Sequence, residues 1–314
     1  MRKVFKFILY IMLGSAIGLA FNMVMHSSKP AEKKIISEGY SIELKDAQGA
    51  EVSQLFLDLS QSNEFNHSIL FENSTEQDQS FSLTLLVDYV KIPFFVESET
   101  RNVKEFNFNL AKGASISIPV RFSIESLSSD LHALIIAIAA KHNDLETQDK
   151  ITDFFGIVGR YTIKKSGKNE FIKTDTPDRS ALTVSNSPVR GIRINQQFEN
   201  TDEFGTFPSV IHAKPNEKIK LALRAGGFTG AKDYLVWLMM DNQQIPFPDG
   251  KPYWWFEAPP EKAALRQIEI SAPEKPGRYE VYGYLMNSPW DTMIEISDNE
   301  TSNRSSHKIA LLVE

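Results

Sequence analysis

The chain has 314 residues, with 40 acidic against 34 basic side chains and a formal charge of −6. Three of the basic residues, Arg2, Lys3 and Lys6, sit at the very start, so the remainder is more acidic still and is a poor match for nucleic-acid backbones, which call for massed Lys and Arg. There is no cysteine, which removes disulfides, thiol catalysis and thiolate metal sites; a hydrophobic share of 42% excludes wholesale disorder.

After the basic tip, Phe7 to Met25 carries no charge and has nearly the length a helix needs to cross the hydrocarbon core. Residues 1–30 are therefore expected to form a signal-anchor helix with a cytoplasmic N-terminus and an exported C-terminal region. The second choice is a cleaved signal peptide, with Gly18-Leu19-Ala20 as the cleavage motif, giving a secreted protein. The anchor is preferred because the apolar run continues through Phe21, Met23, Val24 and Met25.

From residue 36 to 164 the chain reads as one β-sandwich. Expected strands are Tyr40–Lys45, Ser53–Leu59, Asn66–Glu72, Phe81–Val90, Val103–Leu110, Ser115–Ile124, Leu131–Ala140 and Phe155–Ile163. Alternation is clearest where Phe106, Phe108 and Leu110 interleave with Glu105, Asn107 and Asn109. It recurs where Ile116, Ile118 and Val120 interleave with Ser115, Ser117 and Pro119. A period of two assigns one set to a core and the other to water. Leu131–Ala140 is apolar at both parities and reads as a central strand covered on both faces, although its alanines would also suit a helix.

Residues 165–188, rich in Gly, Pro, Ser, Thr and charge, read as a linker. Strand patterning resumes over 189–314, at Val189–Asn195, Phe207–Ala213, Lys218–Ala225, Tyr234–Met240, Tyr253–Glu257, Leu265–Ser271, Arg278–Met286 and His307–Val313. Within it, Ala272 to Leu285 (APEKPGRYEVYGYL) resembles the turn into the penultimate strand of immunoglobulin-like and fibronectin-type sandwiches. Gly277 and Tyr279 match their tyrosine corner, and Trp237 sits on the strand that in those folds carries the buried core tryptophan. The flanking cysteines of antibody domains are missing, so the resemblance is to the wider class. It implies an all-β protein of two tandem immunoglobulin-like sandwiches after a membrane helix, and it names no activity.

No nucleophile elbow, zinc-protease, Walker or dinucleotide-binding motif is present. The Gly226–Gly230 run links two strands and reads as a loop. The histidines at 26, 67, 132, 142, 212 and 307 are scattered, and Asp291, Glu295, Asp298 and Glu300 read as a solvated acidic loop, so no metal or other cofactor is expected. The feature singled out for binding is Tyr253-Trp254-Trp255-Phe256. Alternation sends Tyr253 and Trp255 one way and Trp254 and Phe256 the other, so one pair enters a core. The other pair either stays exposed for a sugar ring or protein partner, or is covered at the interdomain seam, which is the preferred reading. Together these features describe a non-catalytic, membrane-anchored binding or scaffolding protein of a bacterial cell envelope, with a protein or wall-glycan partner. The alternatives are a carbohydrate-binding module acting on wall polysaccharide and a hydrolase with carboxylates hidden among the acidic residues.

Overall fold

A computed structural model describes residues 39–52, 55–141, 156–166, 171, 175–178, 183–185, 190–196, 210–230, 233–291 and 303–314. The membrane segment expected over 1–30, His142 and most of the acidic loop lie outside the described residues. Among the described residues no helix is long and apolar enough to cross a membrane.

Among the described residues the first sandwich is built from ten strands: β1 (Tyr40–Lys45), β2 (Phe56–Asp58), β3 (Glu64–Asn73), β4 (Gln79–Val87), β5 (Val90–Lys91), β6 (Phe95–Val96), β7 (Phe106–Leu110), β8 (Ser115–Ser123), β9 (Leu131–Lys141) and β10 (Gly156–Lys164). One sheet runs β1-β3-β8-β6; the other runs β2-β10-β9-β4-β5, with β7 also on β4. All pairings are antiparallel except β2 on β10. Alternation explains the core between the sheets. Phe65, Ile69 and Phe71 of β3 meet Phe81, Leu83 and Leu85 of β4 and Leu134, Ile136 and Ile138 of β9.

The second sandwich adds β11 (Thr183–Ser185), β12 (Gly191–Asn195), β13 (Val210–Ala213), β14 (Lys218–Gly226), β15 (Asp233–Met240), β16 (Gln243–Ile245), β17 (Trp254–Glu257), β18 (Ala263–Ser271), β19 (Gly277–Asn287), β20 (Asn303–Ser305) and β21 (Ile309–Val313). Its sheets run β11-β18-β14-β12 and β13-β21-β19-β15-β16, with β17 on β15 and β20 on β19. The one parallel pairing of its larger sheet, β13 on β21, repeats that of β2 on β10. Both halves thus divide their strands as immunoglobulin-like sandwiches do. First, second and fifth main strands share one sheet, and third, sixth and seventh share the other.

The segment read as a linker is stitched in where it is described. β11 extends an edge of the second sandwich through Ala263–Leu265. Phe171 bridges to Leu131, and Asp178 bridges to Phe256.

A third apolar cluster joins the sandwiches. The outward faces of β4 and β9 contribute Leu86, Ala133, Ile135, Ala137 and Ala139, and the turn after β4 adds Tyr89. Facing them are Leu235, Trp237 and Met239 of β15, Tyr282, Tyr284 and Met286 of β19, and Tyr253, Trp255 and Trp290. Small alanines on one side leave room for large rings on the other, which is how two pleated faces interdigitate. Both faces of β9 are therefore buried, as its apolar run at both parities requires.

Candidate functional site

The aromatic ribbon Tyr253 to Phe256 divides as strand geometry demands. Trp254 and Phe256 point between the sheets of the second sandwich, with ring centroids 4.0 Å apart. Tyr253 and Trp255 belong to the seam, where Trp255 meets Trp290 at 5.8 Å and its indole nitrogen donates to Asp233 Oδ2 at 3.1 Å. All four rings are buried, at 6%, 1%, 7% and 0% exposure in chain order. They offer no flat, open stacking platform, because a covering layer exists on each side of the strand.

Trp237 also belongs to the seam. It lies on the third main strand, as the resemblance implies, but faces the seam and stacks on Tyr284 at 5.1 Å. The intersheet core is filled from that strand by Tyr234, Val236 and Leu238 and from β17 by Trp254 and Phe256. Tyr279, at the start of β19, donates its hydroxyl to the Lys275 carbonyl oxygen at 2.9 Å, the hydrogen bond of a tyrosine corner. Its ring lies over Gly277, where a Cβ would come within 3.6 Å of it and where φ of 155° favours glycine.

Polar groups pin the seam. Arg160, 4% exposed in β10, donates to the carbonyl oxygens of Asn287 (3.4 Å), Ser288 (2.9 Å), Pro289 (2.9 Å) and Asp291 (2.6 Å). Tyr89 donates to the same Pro289 carbonyl at 2.6 Å, and burial pushes its phenol well above the usual range. Gln244 fastens the other end. Its side chain accepts from the Lys91 backbone at 3.0 Å and donates to the Tyr89 carbonyl at 2.8 Å. Lys308 reaches across to the Ala140 carbonyl and pairs with Glu280 at 2.6 Å; burial pulls its amine down, against the opposing pull of Glu280. None of these fasteners was singled out from sequence. The signal was there for one: Arg160 is a lone charge within the otherwise uncharged run Gly156–Ile163.

Beside the ribbon lies a cleft of about 530 Å³ between the described part of the inter-sandwich segment and the second sandwich. Its charged rim is Asp175, Asp178, Asp249, Lys251 and Arg266, and Tyr253, Trp254 and Trp255 line its wall. Lys251 holds Asp175 at 2.8 Å, a hydrogen bond that raises the lysine's pKa. The Arg266 guanidinium lies 5.4 Å from the Trp254 ring and 5.3 Å from Phe247, with Asp249 at 3.7 Å and Asp178 at 4.0 Å. Trp254 donates its indole hydrogen to Asp178 at 3.2 Å.

A Ser–His–Asp grouping also occurs, and its wiring is that of a clasp. His132 Nδ1 meets Asp88 Oδ2 at 2.6 Å, while its Nε2 meets the Ser129 carbonyl oxygen at 2.9 Å. The Ser129 hydroxyl donates to the Leu131 carbonyl at 2.6 Å. The Ser129 hydroxyl lies 3.3 Å from Nε2, but the closer partner of that nitrogen is the Ser129 carbonyl oxygen, an acceptor to which it must donate, so it has no lone pair free for the hydroxyl's proton as a general base requires. Asp88 also accepts from the Ala133 backbone at 2.9 Å, so the grouping ties the turn after β4 to the start of β9.

No family model and no curated protein sequence matches the chain. Solved structures do. The CARDB domain of the PF1109 protein of Pyrococcus furiosus, described in complex with di-metal ions, is 12% identical over 42% of this chain and 96% of that one, with a TM-score of 0.26. The C-terminal domain of the AgI/II polypeptide BspA of Streptococcus agalactiae is 8% identical over 87% of this chain and 100% of that one, with a TM-score of 0.23. A red sea bream transglutaminase is 10% identical over 89% of this chain but 32% of its own, with a TM-score of 0.24. The assignment to the immunoglobulin-like class rests on the strand order itself.

Proposed function

We propose that this chain is a membrane-anchored, exported binding or scaffolding protein of a bacterial cell envelope, without catalysis of its own. The observation that carries the reading is the seam. Two sandwiches present the same sheet to one another, and the aromatic and methionine side chains that a flexible tandem would leave exposed are spent in fixing their relative orientation. A rigid pair of sandwiches is a spacer or display platform, the work of a scaffold. The wiring of Asp88, His132 and Ser129 as a clasp favours a role without hydrolysis. Export and anchoring are supported by the uncharged run from Phe7 to Met25, and the bacterial setting by an exported region with no cysteine.

Topology is the part to test first. Protease added to intact spheroplasts should digest the region beyond Pro30, and alkaline carbonate should leave the undigested chain in the membrane pellet. Protection until lysis would overturn export. Release by carbonate would overturn anchoring.

A further inference from the structure

We propose that the cleft beside Trp254 binds a neutral oligosaccharide. The inference names a ligand class for the binding role above and rests on that reading only in placing the second sandwich outside the cytoplasm.

The argument begins with charge. Lys251 is matched by Asp175, and Arg266 lies within ion-pair distance of both Asp178 and Asp249. An anion entering the cleft would have to draw Lys251 or Arg266 away from a carboxylate; the three carboxylates of the rim outnumber its two cations, but Arg266 is shared by Asp178 and Asp249, so a cation would draw one of them off the guanidinium. Either exchange gives up an existing pair. A neutral ligand does neither. Carboxylates carry about four acceptor positions and guanidinium five donors, more than one ion pair uses, so hydroxyls can be added without breaking a pair.

Shape and fixity follow. The rings of Trp254 and Phe247 beside the Arg266 guanidinium confine it, so little side-chain freedom remains to be lost on binding. A pyranose offers a rim of hydroxyls around C–H faces. The cleft offers the complement, carboxylates, a guanidinium and an ammonium at the rim and Tyr253, Trp254 and Trp255 along the wall, within the usual size of a small-molecule site. An extended peptide fits less well. The backbone amide of Asp178 already takes the Trp255 carbonyl at 2.8 Å, so an added strand finds that edge occupied.

The test uses the full chain in a sugar-free detergent, read by tryptophan fluorescence and saturation-transfer NMR. The neutral probes are maltotetraose, cellotetraose and the N-acetylglucosamine tetramer; trigalacturonate and inorganic phosphate are the charged ones. Saturable binding of at least one neutral probe is expected, weakened about tenfold or more in Asp249→Asn and in Lys251→Met, a loss of the size a charge-assisted hydrogen bond supplies. Both side chains are solvent-accessible, so the melting temperature of each variant should stay near that of the parent, separating loss of the site from loss of the fold. Tighter binding of trigalacturonate or phosphate than of every neutral probe overturns the inference. So does binding that both variants leave unchanged, and so does no saturable response to any probe. None of these failures touches the spheroplast assay, which stands or falls separately.

Discussion

Replacing Arg160 with methionine keeps most of the buried stem and removes the guanidinium that gathers four backbone carbonyls of the 287–291 loop. The Pro289 carbonyl keeps Tyr89 as a donor, so the loss falls on the other three. At about 1–3 kcal/mol for each acceptor left dry, and with the contacts to Ser288 and Asp291 only part-buried, the gross cost is roughly 3–9 kcal/mol. The long 3.4 Å contact to Asn287 places it toward the low end. Removing a buried cation returns part of this, since its desolvation costs several kcal/mol. The net destabilisation should be about 2–4 kcal/mol, measured as the shift in urea midpoint times m for the full chain. Arg160→Lys should recover a fraction only, because one ammonium cannot reproduce the planar fork. Arg101→Met, at an exposed position, should fall within about 0.5 kcal/mol of the parent. An Arg160→Met variant as stable as that control would refute the role given to Arg160.

Trp237→Ala should cost about 3–5 kcal/mol in the same melts, since the ring is fully buried at the seam. Fragments 39–166 and 175–314, mixed after separate refolding, should form a one-to-one complex by sedimentation, because each alone exposes its seam face; two species that stay monomeric would contradict this. Tyr279→Phe should cost only about 0.5–1.5 kcal/mol, as its hydrogen bond to Lys275 is open to solvent. Burial and the nearby Arg193 cation lower the His307 pKa to about 4. The unfolded chain therefore binds more protons between about pH 6.5 and 4, and stability should fall as the pH drops through that window, by up to about 3 kcal/mol. His307→Gln should flatten that part of the profile, and an unchanged slope would remove the histidine as its source.

The expected long strands all recur within a few residues at the ends that are described, because each runs through a core and its alternation is dictated by burial. The strands that were not expected, β5, β6, β11, β16 and β20, are two or three residues long and lie mostly at sheet edges. Too little of each is buried for a period of two to register. The site was legible to a similar depth. Alternation sorted the ribbon from Tyr253 to Phe256 into two faces and pointed to a seam for one of them. It said nothing of Arg266, Lys251 or Asp178, because charged residues in loops and on strand faces carry no pattern that tells a rim from ordinary surface. The resemblance supplied the strand of Trp237, but the parity of Tyr234, Val236 and Leu238 decides which side meets the other sheet.

That parity argument reaches further than one tryptophan. A strand in an isolated sandwich has one wet face, so its outward positions should be polar. In β9 the outward set is Ala133, Ile135, Ala137 and Ala139; in β15 it is Leu235, Trp237 and Met239; in β19 it includes Tyr282, Tyr284 and Met286. β15 and β19 are the third and sixth main strands of the second sandwich and β9 is the sixth of the first, whose third, β4, adds Leu86 beside the outward Ser82 and Thr84. Two sandwiches with the same doubly apolar sheet, in one chain, have one economical arrangement: those sheets against each other. The alanines of β9 and the rings of β15 and β19 then complete the case, since two faces of large rings would not approach closely and two faces of alanine would leave voids. A charge placed on either face, as in Ala137→Asp, should for the same reason be worse than any loss of volume there, because the carboxylate would be taken out of water among apolar side chains while the buried Arg160 guanidinium is already committed to the carbonyls of the 287–291 loop.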